Sequence, residues 1–318
     1  MQQWSSKVTN RVWVMGDAVV DLIPEGERHY LQCPGGAPAN VAVGVARLGG
    51  EAAFIGRVGG DPFGRFMADT LSGEGVDIAA LRLDPDHRTS TVLVALDEEG
   101  ERSFTFMVRP SADQFLTPNE LPRFGAGQWL LTCSIALASE PVRGSCLQAM
   151  AAIKAAGGRV CFDPNLRPEV WGNPAEMLPL VREAIALADV VKLSVEELQL
   201  LSGLDDLAAG LATIAGPALV LVTRGAAGVV ARLGGEQLEW VGPKVTPLDT
   251  TGAGDAFVAG LLAALAGRSS LPTLAELPAI LAQAHGCGAL ATTAKGAMTA
   301  LPTRTELDEF LRSGASGC

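Results

Sequence analysis

The sequence lacks the cysteine and histidine patterns of a metal site or a disulfide framework. Its six cysteines contain no Cys-x-x-Cys pair and no short regular spacing, and its three histidines are isolated from one another. Structural zinc needs clustered ligands, and small disulfide scaffolds need closely spaced cysteines in a short chain. Both classes are therefore disfavoured, and no Ser-His-Asp arrangement is indicated.

Long apolar runs and positive charge are also scarce. No apolar run approaches the ~20 residues that span a bilayer, and Val12–Met15 is too short for the apolar core of a signal peptide. We therefore expect a cytoplasmic protein with no membrane partner. The formal net charge is −11, from 24 basic and 35 acidic residues. This argues against nucleic acid as a partner, because phosphate backbones are held by clustered Lys and Arg.

Glycine is in surplus, with 37 of 318 residues, well above the usual share of about 7%. Short β-branched runs alternate with Ala- and Leu-rich helical runs, which predicts an α/β fold with a mainly parallel sheet flanked by helices. The predicted strands are Val12–Met15, Ala53–Val58, Trp129–Cys133, Val160–Asp163, Val190–Leu193 and Leu219–Thr223. The predicted helices are Ala39–Leu48, Pro62–Ser72, Val142–Ala156, Met177–Ala188, Val195–Leu201, Asp205–Ala215 and Ala253–Ala266.

One region departs from this alternation. Thr91–Asp97 and Arg102–Val108 alternate polar and apolar residues around Glu98-Glu99-Gly100, which predicts an antiparallel hairpin. With His29–Cys33 it is expected to form a small separate sheet. We interpret this sheet, at about residues 22–35 and 88–113, as a lid over a cleft. Its exposed edge is a candidate surface for a homodimer.

A glycine-rich turn precedes the predicted helix Ala253–Ala266. Amides of Gly252, Ala253, Gly254 and Asp255 at a helix start converge on an anion, and the helix dipole adds partial positive charge there. Asp255 beside that anion is placed to accept a proton from an attacking hydroxyl, which indicates phosphoryl transfer. The structural alternative is a plain turn with Asp255 capping the helix. A dinucleotide fingerprint should follow an early strand, and a P-loop needs Gly-Lys-Ser/Thr, which does not occur.

A second glycine cluster lies near the start of the chain. Gly35 and Gly36 allow a ligand to approach the backbone, and Asn40 offers a donor and an acceptor to sugar hydroxyls. Asp17 lies at the carboxyl end of the first predicted strand, where open α/β sheets bind ligands. A helix-start role is the alternative for Asn40.

The two clusters together resemble the two signatures of the ribokinase-like carbohydrate kinases, the PfkB family. The first reads Gly35-Gly36-x-Pro38-x-Asn40-x-Ala42, and the second reads Asp249-Thr250-x-Gly252-Ala253-Gly254-Asp255. The resemblance runs from about Val12 to about Leu311. It implies one kinase domain over residues 1–318, a doubly wound sheet with a β lid, ATP as donor and a sugar hydroxyl as acceptor.

The resemblance also implies roles for single residues. Asp255 is the general base and the amides of Gly252–Asp255 form an anion hole. The nucleotide contacts it implies are Lys192, Thr223, Arg224, Gly225, Gly228 and Gly254; for metals it implies Glu197 with Mg²⁺, and Asp249, Thr251, Ala291, Ala294 and Gly296 with K⁺. The family often has Asn-x-x-Glu where this chain has Ser194-x-x-Glu197, and Ser-x-x-Glu is also a helix capping box.

A further segment narrows the resemblance. Asp163-Pro164-Asn165-Leu166-Arg167 followed by Trp171 resembles the fructokinase branch and its neighbours, the aminoimidazole riboside and 2-keto-3-deoxygluconate kinases. The lid looks closest to bacterial fructokinases. This implies 6-phosphorylation of D-fructose, with the sugar bound by Asp17, Gly35, Gly36, Asn40, Phe104, Phe106, Arg109 and Arg167. Lid packing for the two Phe residues, a surface ion pair for Arg167, the riboside kinase and a catalytically silent sugar sensor remain alternatives.

Overall fold

The fold is described by a computed structural model, which covers residues 11–26, 28–96 and 102–314. Within these ranges the chain forms thirteen strands and nine α-helices. In chain order they are β1 (Val12–Met15), β2 (Val19–Glu25), β3 (His29–Gly35), α1 (Ala37–Arg47), β4 (Ala52–Gly59), α2 (Pro62–Gly73), β5 (Asp77–Asp84), β6 (Thr91–Leu96), β7 (Arg102–Phe106), β8 (Trp129–Cys133), α3 (Val142–Ala155), β9 (Arg159–Asp163), α4 (Pro174–Leu187), β10 (Val190–Ser194), α5 (Val195–Ser202), α6 (Leu207–Thr213), β11 (Leu219–Thr223), β12 (Val229–Leu233), β13 (Glu236–Trp240), α7 (Ala253–Ala266), α8 (Leu277–Ala291) and α9 (Arg304–Gly314).

The large sheet has the strand order β13-β12-β11-β10-β9-β8-β1-β4-β5. The seven strands from β11 to β5 run parallel, and β12 and β13 join antiparallel at one edge. All six strands predicted for the mainly parallel sheet lie in this sheet. Their nearly continuous burial explains the β-branched runs, since a parallel sheet is covered on both faces. The predicted mainly parallel α/β fold is confirmed.

Helices cover the sheet in two layers. Apolar side chains of α1, α2, α7, α8 and α9 form one core with one face of the sheet, and those of α3, α4, α5 and α6 form a second core with the other face. Helices α1 and α7 pack closely because Gly44 has no side chain. A Cβ on Gly44 would lie 2.6 Å from Cβ of Ala259. No helix in the described ranges combines the length and the apolar character needed to cross a membrane.

A small sheet of four strands, in the order β3-β2-β6-β7, lies apart from the large one. The predicted hairpin is confirmed as the antiparallel pair β6 and β7, while its predicted turn at residues 98–100 lies outside the described residues. Strand β3 joins this sheet as expected, but through β2, which pairs antiparallel with β3 and parallel with β6. Strand β2 was not predicted, because Pro24 and Asp21 interrupt its apolar pattern.

Candidate active site

A cavity of about 280 Å³ opens at the carboxyl ends of the central parallel strands. This is the edge where open α/β sheets bind ligands. Val92 and Phe106 of the small sheet line one side of the cavity, and residues at the start of α7 line another. The predicted site residues in its lining are Asp17, Gly36, Asn40, Phe106, Arg167, Lys192, Thr251, Gly252, Gly254 and Asp255.

Asp255 lies in the first turn of α7 and is held by Asn40 of α1. Asn40 Nδ2 donates to Asp255 Oδ2 at 2.8 Å, so two segments 215 positions apart meet at the cavity. Burial raises the pKa of Asp255, against the opposing effects of the Asn40 hydrogen bond and of the Lys192 and Arg167 charges. A carboxylate with a raised pKa is a better proton acceptor. Asn40 Oδ1 is buried without a hydrogen-bond partner, so it presents an unused acceptor.

The turn before α7 requires glycine at position 252. Gly252 has φ 76°, in the left-handed region, and a Cβ there would lie 2.8 Å from Cα of Ala297. The helix begins with a bond from the Ala256 amide to the Gly252 carbonyl at 2.8 Å. The first amides of a helix have no partner within it, so those of Gly254 and Asp255 are the natural donors to an anion.

Lys192 in β10 and Asp163 at the end of β9 form a buried pair. Lys192 Nζ lies 3.3 Å from both carboxylate oxygens of Asp163. Burial alone would lower the pKa of Lys192, but the carboxylates of Asp163, Glu197 and Asp255 raise it above its usual value. A Cβ on Gly254 would lie 3.3 Å from Lys192 Nζ, so the ammonium is next to the start of α7. Sequence reasoning did not select Asp163 as a site residue, although it ends a predicted strand.

A second pocket, of about 300 Å³, lies on the other side of the same helix start. Its lining includes the predicted nucleotide residues Thr223, Gly225, Gly228 and Gly254. Gly254 lines both pockets, so they meet there. Arg224 is turned away, donating to Glu239 Oε1 at 2.7 Å and to the Ala227 carbonyl at 3.0 Å. The other lining residues, which the sequence did not single out, include Pro243, Lys244, Val245, Phe257, His285 and Ala289.

The predicted capping box at the start of α5 is present and has an additional contact. Glu197 Oε2 accepts the Ser194 amide at 2.8 Å, and Ser194 Oγ accepts the Glu197 amide at 3.2 Å. Glu197 Oε1 also accepts the Leu166 amide at 2.8 Å, which fixes the loop after β9. Each carboxylate oxygen has a second lone pair. Glu197 can therefore accept a further donor, such as a water of a hydrated Mg²⁺.

The residues predicted to hold K⁺ lie on two adjoining loops. Asp249 Oδ1 accepts the Thr251 amide at 3.0 Å, and Asp249 Oδ2 accepts the Gly296 amide at 2.9 Å. The Thr292 carbonyl accepts the amides of Leu248 and Asp249, which joins the end of α8 to the same turn. Ala291 is the last residue of α8, and Ala294 follows in the loop to Gly296. The loop with Asp249 and Thr251 directly precedes α7, and the loop after α8 is hydrogen-bonded to it.

The predicted sugar residues are distributed around the first cavity. Asp17 follows β1 and is 7% exposed; burial, and then the Asp113 charge, raise its pKa to about 7. A Cβ on Gly36 would lie 2.6 Å from the Asp17 carbonyl, while Gly35 instead borders the Asp21 carboxylate. Arg167 lines the cavity. The side chain of Phe104 lies outside the described residues, and Arg109 is near Phe106 but is not among the lining residues.

Residues 9–304 match the model of the pfkB family carbohydrate kinases. The chain belongs to this family, and its enzymes are sugar phosphotransferases. It is 58% identical over 307 residues to the fructokinase of Klebsiella pneumoniae, covering 96% of this chain and 100% of that protein. It also superimposes on the crystal structure of the fructokinase of Vibrio cholerae O395 with fructose, ADP and calcium ion bound. That match has a TM-score of 0.91 and 57% identity, and covers 95% of this chain and 99% of the other.

A more distant relative is the aminoimidazole riboside kinase of Salmonella enterica. Its crystal structure with aminoimidazole riboside and an ATP analogue matches with a TM-score of 0.89 and 42% identity, over 95% of this chain and 99% of the other. The fold predicted from the resemblance is therefore confirmed as ribokinase-like. Relatives in the family bind a sugar or riboside together with a nucleotide.

Proposed function

We propose that this protein is a fructokinase, which transfers the γ-phosphoryl group of ATP to the 6-hydroxyl of D-fructose. The observation that carries the proposal is the position of Asp255. It lies in the first cavity, at the helix start where that cavity meets the second pocket. A sugar in the first cavity and a nucleotide in the second would bring acceptor hydroxyl and phosphoryl group together at this point. The fructokinases at 57–58% identity support fructose as the acceptor.

In the proposed reaction, the 6-hydroxyl oxygen attacks the γ-phosphorus of ATP. The new O–P bond forms, the bond from the γ-phosphorus to the bridging oxygen breaks, and ADP leaves with that electron pair. Asp255 accepts the hydroxyl proton, while Asn40 fixes the orientation of its carboxylate. The amides of Gly254 and Asp255 and the ammonium of Lys192 stabilise charge on the transferring group. Arg167 reaches the same region from the loop after β9.

The charges around the first cavity favour a neutral sugar. Its lining carries the carboxylates of Asp17, Asp21, Asp163, Asp255 and Glu169, against the cations of Arg167 and Lys192. Carboxylates accept hydrogen bonds from sugar hydroxyls but repel another carboxylate. This supports a ketohexose over 2-keto-3-deoxygluconate, which is a sugar acid. The unpartnered Asn40 Oδ1 is a further acceptor for a hydroxyl.

The proposed reaction also uses two metal ions, Mg²⁺ and K⁺. Relatives bind ADP with calcium or potassium ions. We assign Mg²⁺ as the physiological divalent ion, with Glu197 holding waters of its hydration shell, because Mg²⁺ keeps several waters when bound. It neutralises phosphate charge when bound. K⁺ is assigned to the loops of Asp249, Thr251 and residues 291–296, where it would order the turn before α7.

The small sheet is proposed as a lid, at about residues 22–35 and 88–113 of a single catalytic domain, and as the contact of a homodimer. Val92 and Phe106 line the sugar cavity from this sheet. Tyr30 on the outer strand β3 and Met107, directly after β7, are more than half exposed. Hydrogen exchange of β6 that is unchanged by fructose would contradict the lid, and sedimentation as a monomer would contradict the dimer.

A cytoplasmic location is also proposed, because the five free cysteines in the described chain suit the reducing cytoplasm.

A panel of acceptors tests the proposal. With ATP and Mg²⁺, we expect kcat/KM for fructose to exceed that for aminoimidazole riboside, ribose and 2-keto-3-deoxygluconate by at least about tenfold, and the product to be fructose 6-phosphate. A higher kcat/KM for aminoimidazole riboside than for fructose would identify the riboside, and not fructose, as the substrate. Sugar binding without any ATP turnover would instead indicate a sensor.

A further inference from the structure

Arg109 makes two contacts that connect the small sheet to the segment after β9. It follows β7 of the small sheet, and its Nη2 donates to the Val170 carbonyl at 3.1 Å. Its guanidinium carbon lies 5.5 Å from the centroid of the Phe106 ring. Phe106 lines the cavity, whereas Arg109 does not. The side chain thus reaches around the outside of the cavity wall.

Val170 is part of a well-fixed segment. It lies in a 3₁₀ turn after Arg167 and is 4% exposed, and Trp171 beside it is 6% exposed. The loop before this turn is fixed by Glu197 through the Leu166 amide at 2.8 Å. The Val170 carbonyl therefore offers Arg109 an anchor in a buried turn that packs against the large sheet, while Phe106 belongs to the small sheet.

We propose that Arg109 is a positioning residue for the sugar. Its hydrogen bond to the Val170 carbonyl fixes the guanidinium, which in turn holds the Phe106 ring against the acceptor cavity. The inference rests on the proposed function, because it assigns the acceptor cavity to a sugar. A guanidinium suits this role since it donates in its plane and stacks through its face at the same time. Phe106 is partly exposed, so its ring has room to leave the cavity wall without this support.

The expected consequence is specific to the sugar. Without the Arg109 contacts, the Phe106 ring is no longer fixed in the cavity wall. The sugar must then order this ring when it binds. Replacement of Arg109 should therefore raise KM for the sugar and leave KM for ATP unchanged, because the second pocket has no residue from this segment. The turnover number should change little once sugar saturates the site, since Asp255 and Asn40 are untouched.

Arg159 provides a matched control. Its Nη2 donates to the Ser269 carbonyl at 2.8 Å, and its guanidinium carbon lies 5.9 Å from the centroid of the Trp129 ring. The same pair of contacts thus occurs at the opposite end of β9 from Asp163, away from both pockets. Arg159→Met removes the same two kinds of contact without touching the sugar cavity. Arg109 differs in that its charge also acts on the carboxyl group of Asp113.

The test compares Arg109→Met, Arg159→Met, Phe106→Ala and the double variant Phe106→Ala/Arg109→Met. We expect Arg109→Met to raise KM for fructose about tenfold, since a charged hydrogen bond and a cation–π contact are lost, with KM for ATP and kcat near the wild-type values. Arg159→Met should leave KM for fructose unchanged. In the Phe106→Ala background, Arg109→Met should have no further effect on this KM, because the ring it holds is gone.

Three results would overturn the inference: an unchanged KM for fructose, an equal rise of KM for ATP, or full additivity with Phe106→Ala. If Arg109→Met does not fold, Arg109→Gln gives the same test, because the shorter neutral side chain loses both the charged donor to Val170 and the guanidinium face over Phe106. Absence of fructose turnover in the wild-type protein would contradict the proposed function instead, so the two failures are distinguishable.

Discussion

Burial of Asp17 has an energetic cost that follows from its surroundings. The carboxyl lies at the end of β1, 7% exposed, and burial followed by the Asp113 charge raises its pKa from 3.8 to about 7. The Asp21 charge contributes to the same rise in pKa, and the Arg167 charge opposes it. A group whose folded-state pKa lies above its unfolded value destabilises the fold wherever it is ionised in both states. An ionised Asp17 therefore lowers the stability of the fold, as expected if this carboxylate is retained for sugar binding.

This cost predicts a pH-dependent effect of Asp17→Asn. Below pH 3.8 both states hold the proton and the cost vanishes; it grows as the pH rises from 3.8 and is complete above about 7. We expect Asp17→Asn to raise the free energy of unfolding at pH 8 by about 1–3 kcal/mol, and by less at pH 5. Urea unfolding at the two pH values measures it. Asp69→Asn on the exposed face of α2 is the control, and an equal gain at both pH values would contradict the prediction.

The elements that could be predicted from the sequence are those with a distinct pattern. Strand β11, for example, is a short β-branched run buried along nearly its whole length, and α2 begins with an Asp61 cap and a proline. Helix α8 was missed because it is rich in Ala, Leu and Gly on all sides, so no polar face marks its period. Strand β5 was missed because it is an edge strand with several exposed residues.

At the scale of elements, the loop after α8 is hydrogen-bonded to the turn before α7. The Asp249 carboxylate accepts the amides of both Thr251 and Gly296. A cation bound at these two loops would therefore order the neighbouring turn at Gly252. We expect replacement of K⁺ by tetramethylammonium to lower kcat several-fold without a comparable change in KM for fructose. Steady-state assays at constant ionic strength measure this. An unchanged rate would contradict a K⁺ site, and Asp249→Asn should remove the dependence on K⁺.

At the scale of the whole molecule, the two pockets depend on contacts between distant parts of the chain. The glycine loops at Gly36 and Gly252 could be predicted because each is a local motif before a helix. The Lys192 pair with Asp163, the Asp113 charge near Asp17 and the place of His285 in the second pocket could not. Each depends on how separate strands and helices meet, and no local spacing records that.

The acidic net charge of the chain is compatible with a phosphate site. The positive groups are local: the amides at the start of α7 and the ammonium of Lys192, which lies next to Gly254. Part of the glycine surplus lies at these close approaches, as at Gly44 between α1 and α7 and at Gly252 beside Ala297. Net charge thus disfavours a polyanion groove while leaving a small anion site intact.

The most direct test of the account is the turnover of Asp255→Asn with saturating ATP and fructose, alongside fructose binding by calorimetry. We expect kcat to fall by about 10²–10⁴ while fructose still binds, because the variant keeps the shape of the site but lacks the general base. Asp69→Asn should retain full turnover. Near-normal turnover by Asp255→Asn would contradict the account.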